Sequence, residues 1–115
     1  MGYLTPKNRG LEALYPAKPF GEFSSVIGGG NSTAVTWAQL GVTVTDLAPS
    51  KYKVWLVNNG STTMLVKQGG LTVFAVAAGS TLFEFMDPYA GDLSVTGTAA
   101  DPFLIFATGQ VKNAP

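Results

Sequence analysis

Lys51-Tyr52-Lys53-Val54-Trp55-Leu56-Val57-Asn58-Asn59-Gly60-Ser61 is the stretch that decides the fold. Successive side chains of an extended strand point to opposite faces. Tyr52, Val54 and Leu56 therefore share one face, and Trp55 and Val57 the other. The run closes on Asn-Asn-Gly-Ser, residues that tolerate a positive φ and signal a turn. A strand apolar on both faces is expected to be covered on both. Either it lies deep in a stack of sheets, or one face lies in the core and the other in an oligomer interface.

The same cadence continues towards the C-terminus. Apolar segments at 64–67, 71–76, 80–86, 93–96 and 103–108 are separated by Gly69-Gly70, Ala78-Gly79, Asp87-Pro88-Tyr89-Ala90-Gly91-Asp92 and 97–102. Within 80–86, Phe83 and Phe85 share one face, while Leu82, Glu84 and Met86 share the other. On the N-terminal side, 23–27 reads as a short strand and Gly28-Gly29-Gly30-Asn31-Ser32 as a permissive loop or tight turn. Segments 33–38 and 42–45 alternate apolar residues with Thr, and Pro49-Ser50 turns the chain. About nine short strands with turn signals between them and no strict repeat predict an all-β fold. The expected class is a β-sandwich or jelly-roll-like antiparallel domain with an extended N-terminal arm. The expected divisions are an arm at 1–21, the β-domain at 22–110 and a tail at 111–115.

Composition narrows the function. Of 115 residues, 46% are apolar and only 12% charged, against about a quarter charged in an ordinary soluble protein. The surface is therefore either covered by Ser, Thr, Asn and Gly or buried against partners. Seven basic and seven acidic residues cancel, so no long-range field draws a polyanion and nucleic acid is not an expected partner. No apolar run approaches the ~20 residues of a membrane span, and no membrane partner is expected. The start lacks a secretory h-region. The chain reads as a soluble protein made in the cytoplasm.

The arm differs in kind. Residues 1–21 hold three of the seven prolines, with apolar side chains at Tyr3, Leu4, Leu11, Leu14, Tyr15 and Phe20. A helical turn or two at 8–15 is expected, and extended chain elsewhere. Ordering some twenty residues costs roughly 20–40 kcal/mol, whereas burying each of the six side chains returns about 1.5–3 kcal/mol. The arm is not expected to order alone, and its six apolar residues are the expected partner contacts. Fully extended it spans about 65 Å, enough to cross onto a neighbour.

Chemistry is sparse. The chain has no His and no Cys, the residues most used for acid–base and nucleophilic catalysis. Glu84, the one carboxylate inside an apolar strand, is expected at a solvated edge, and glycosidases need two such groups. No enzymatic activity, cofactor or metal is expected. Asp87, Asp92 and Asp101 could meet at one end of a sandwich as oxygen ligands for calcium, but their spacing is not that of an EF-hand loop and they sit in ordinary turn dipeptides. The triple glycine lacks the Lys-Ser or Lys-Thr of a phosphate loop. Trp37, Tyr52, Trp55 and Tyr89 could form a sugar-stacking platform. Trp55 reads better as core or interface, and Tyr89 as an exposed loop tip. Asn59 and Tyr89 are the candidate recognition residues, in loops 58–62 and 87–92, with 97–101 beside them.

Val54-Trp55-Leu56-Val57-Asn58-Asn59-Gly60-Ser61, Ala77-Ala78-Gly79-Ser80 and Leu93-Ser94-Val95-Thr96-Gly97-Thr98-Ala99 together resemble small β-sandwich structural proteins of tailed-bacteriophage virions. The resemblance covers residues 51–109. It implies a decoration or cement protein on a capsid shell, located in the virion and homo-oligomeric, whose partners are the major capsid or other virion proteins. A tail or fibre component, a module binding a host glycan or receptor, and a host-encoded adaptor are the alternative readings.

Overall fold

A computed structural model of the chain describes residues 21–43 and 50–112. They form strands β1 (Glu22–Val26), β2 (Ser32–Val35), β3 (Ser50–Asn58), β4 (Met64–Gln68), β5 (Leu71–Val76), β6 (Thr81–Met86), β7 (Leu93–Thr96) and β8 (Pro102–Lys112). Short 3-10 turns stand at Ala38–Leu40 and Pro88–Ala90. All pairings are antiparallel. One sheet has the order β1-β8-β3-β6 and the other β2-β7-β4-β5. Eight antiparallel strands divided in this order between two sheets make a jelly roll, the fold class expected from the sequence. The arm proper, residues 1–20 with the expected turn at 8–15, lies outside the described residues, as does 113–115.

Strand alternation sets the core. β3 turns Val54 and Leu56 inward, β8 turns in Phe103, Ile105 and Ala107, and the facing sheet supplies Met64, Val66, Leu93 and Val95, all buried. Full burial of one such side chain stabilises by roughly 1.5–3 kcal/mol. One end of the sandwich is closed by Trp37, whose indole N–H donates to the Gly91 carbonyl at 2.8 Å and whose backbone N–H donates to Asp92 Oδ1 at 3.3 Å.

Two expectations need correction. The strand expected over 33–38 stops at Val35, and Trp37 takes helical angles (φ −61, ψ −33). The Thr36 N–H donates to Gln39 Oε1 while the Gln39 N–H donates to Thr36 Oγ1. This reciprocal bonding satisfies the first amides of a turn and ends the strand. Val42 and Thr43 carry no strand either, and the remainder of that candidate lies outside the described residues, so among the described residues eight of the roughly nine expected strands stand. The Asn58-Asn59-Gly60-Ser61 turn uses no positive φ, whereas Gly69, Gly70 and Gly79 do. Gly60 is required for space, because a Cβ there would lie 2.7 Å from Asp101 Cβ. In the triple-glycine loop the left-handed residue is Asn31 (φ 64), not a glycine.

Candidate functional site

The two sheets present opposite characters to the outside. On the β2-β7-β4-β5 sheet the alternation turns out small or polar residues such as Ala34, Ser94, Thr96 and Lys67 on the side away from the buried Val66 and Val95, with the exposed Leu71 and Val73 confined to the β5 margin. On the β1-β8-β3-β6 sheet it turns out aromatic ones. Registers there place Phe106 of β8 opposite Trp55 of β3, and Trp55 opposite Phe83 of β6. The three rings form a row across three strands.

The row is tightly arranged. Trp55 and Phe106 stack at 6.0 Å with planes 9° apart, Trp55 and Phe83 lie 4.7 Å apart, and Phe85 meets Phe83 edge-on at 5.8 Å. Such pairs contribute about 0.5–1.5 kcal/mol beyond the area they bury. The Trp55 indole N–H donates to Thr108 Oγ1 at 2.6 Å, which fixes the ring. Lys53 Nζ lies 5.0 Å from the Phe83 centroid and 5.9 Å from that of Phe85, a cation–π position. Val57 and Leu104, half-buried, extend the apolar surface past the row, towards the exposed Val26. Phe83 is 39% and Phe85 40% exposed. The face is rigid in its centre and open at the β6 margin.

The sequence-level candidates fall elsewhere. Asn59 is exposed where β3 ends, its N–H donating to the Pro102 carbonyl. Loops 58–62 and 97–101 meet at that end: Ser61 donates through its N–H and its hydroxyl to Asp101 Oδ2, and the Thr62 and Thr98 hydroxyls bond at 2.8 Å. Tyr89 is exposed in the turn Pro88–Ala90, its N–H donating to Asp87 Oδ1. β7 runs from that turn to the 97–101 loop, so Asn59 and Tyr89 stand at opposite ends of the sandwich. The same strand separates Asp101 from Asp87 and Asp92, so the three stand at different ends of the sandwich. Among the described residues no group of three His, Cys, Asp or Glu could hold a metal ion.

Trp37 is buried and Tyr52 packs beside it at 6.1 Å, so neither offers a stacking face of the kind considered for sugars. Glu84 is exposed on the edge strand β6, as expected. Tyr3, Leu4, Leu11, Leu14, Tyr15 and Phe20 lie outside the described residues. The aromatic row itself was not assembled from the sequence. Phe83 and Phe85 were readable as sharing a face, but joining them to Trp55 and Phe106 requires the β6-β3-β8 order, which no local pattern carries.

No protein-family model matches the chain, and a search of curated proteins finds no match to it.

Proposed function

We propose that the protein is a virion structural component, a decoration or cement protein of a tailed-bacteriophage capsid that stabilises the shell by bridging its subunits. One observation carries the reading: a sandwich already closed on its own core turns the row Phe106, Trp55, Phe83 and Phe85 outward on one sheet only. Exposed contiguous apolar surface of this kind marks a contact site. Lys53 over Phe83 and Phe85, and Glu22 opposite Phe106, give the apolar row a thin polar margin. The resemblance of residues 51–109 to phage virion proteins supplies the shell as the partner, and the arm, about 65 Å long when fully extended, supplies a second reach onto a neighbouring subunit. Weak contacts repeated in many copies on a symmetric shell reinforce one another through effective concentration.

The test is copy number and location in purified particles, together with binding of a chain lacking residues 1–21. A many-copy shell component whose truncated form stays folded but no longer binds supports the proposal. Full binding by the truncated chain overturns the role of the arm, and a few copies confined to the tail overturn the capsid assignment in favour of a tail or fibre component.

A further inference from the structure

Among the described residues the margin of the aromatic face is an uncovered strand edge. There β6 pairs only with β3 and is the last strand of its sheet. The other three margins are blunted. β2 has four residues and β1 five, with Glu22 at its start. β5 carries a register shift opposite Val66 and Lys67, a bulge that bends an edge away from further pairing. β6 has six residues in unbroken register with β3, without proline or lysine and with a single charge, the exposed Glu84, and it exposes Leu82, Phe83 and Phe85 beside it.

The hydrogen-bond phase of β6 follows from its entry. The Asn58 N–H donates to the Ser80 carbonyl at 2.9 Å, and bonded pairs alternate along an antiparallel ladder. Leu82, Glu84 and Met86 therefore bond to β3, and Thr81, Phe83 and Phe85 aim their N–H and C=O groups at the open edge.

We propose that two copies of the chain join through this edge, β6 against β6, antiparallel about a two-fold axis at Phe83. Such an interface is self-complementary by construction. In this register Phe83 pairs with its own copy and Thr81 with Phe85, each a bonded pair exchanging two N–H···O contacts. The neighbouring register, centred on Glu84, sets two carboxylates directly opposite, which is unfavourable. Centring on Phe83 places Leu82 opposite Glu84 instead. The two sheets become one, and the row Phe106, Trp55, Phe83 continues into its symmetric counterpart. The outer face stays open and doubles in length, so the pairing is compatible with a shell contact but does not depend on one.

Sedimentation of the full chain from about 1 to 300 µM tests the proposal, with Thr81→Pro as the disrupting variant. Proline there removes an edge-facing N–H and no bond to β3, the strand setting in which proline is tolerated. The expected result is a monomer–dimer equilibrium for the natural chain, weakened at least tenfold in Thr81→Pro with the β-sheet circular dichroism unchanged. A second readout does not depend on that variant folding. On oxidation, the double variant Leu82→Cys/Glu84→Cys is expected to form a covalent dimer, because opposed residues of a non-bonded pair lie within disulfide reach, whereas Leu82→Cys alone, which keeps the carboxylate, is not. A chain that stays monomeric at 300 µM, a dimer indifferent to Thr81→Pro in its folded form, or efficient cross-linking of Leu82→Cys alone overturns the proposal.

Discussion

At the scale of single residues, Asn58 carries more structure than its place in a turn motif suggests. It is fully buried, its amide donating to the carbonyls of Thr62 at 2.8 Å and Val76 at 2.9 Å while Oδ1 accepts from the Gly60 N–H. Asn58→Ala would strip partners from buried backbone groups, each costing about 1–3 kcal/mol. The expected loss is about 2–4 kcal/mol in urea unfolding, seen as a lower midpoint with an unchanged slope. Gly60→Ala is expected to cost about 1–3 kcal/mol, since the new Cβ collides with Asp101 Cβ and displaces the carboxylate from Ser61. Loss of the Ser61–Asp101 contact would appear in amide exchange at Ser61. The sequence made this stretch legible as a turn, because Asn and Gly are turn formers. It did not reveal why each residue is needed, since the partners Val76 and Asp101 are distant in the chain.

At the scale of elements, the central pair β3 and β8 bears the stability and the margins do not. Leu56 and Ile105 are wholly buried at the centre of the core, whereas Leu71 at the start of β5 is 75% exposed. Leu56→Ala is expected to lower unfolding free energy by about 2–5 kcal/mol, and Leu71→Ser to change it by no more than about 0.5 kcal/mol. Paired denaturant melts would read both, and comparable losses would contradict this division between centre and edge. The inward set Val54, Leu56 was legible from alternation alone, which is a local property. The outward set was read as covered, on the ground that both faces of β3 are apolar. Among the described residues the face bearing Trp55 meets its aromatic neighbours, Lys53 and Thr108, with no second layer over it. The strand expected over 33–38 stopped short at Val35 for a different reason: the Thr36–Gln39 bonding competes with sheet, and period-two patterning is blind to it.

At the scale of the whole molecule, the jelly roll brings the chain's first and last described strands together, β1 pairing with β8. The arm thus leaves from an edge of the aromatic sheet. The composition sets how contact made there responds to solvent. With seven charges of each sign in 115 residues, little of any partner surface can be held by ion pairs, and exposed pairs are screened within about 10 Å at 0.1 M salt. Apolar burial is not screened, and excluded salts such as sulfate strengthen it. Particle binding is therefore expected to change by less than about threefold between 0.05 and 0.5 M sodium chloride and to tighten in sulfate. Phe83→Ser, which removes the exposed end of the row while sparing the Trp55–Thr108 bond, is expected to weaken binding about tenfold or more and, by removing the ring pairs with Trp55 and Phe85, to cost about 1–3 kcal/mol of stability, leaving the chain folded at the temperature of the assay. A co-sedimentation series with purified shells across the salt range measures both. Steep loss of binding with chloride would instead assign the contact to the few charged side chains, and the aromatic face would then have to serve something other than the shell.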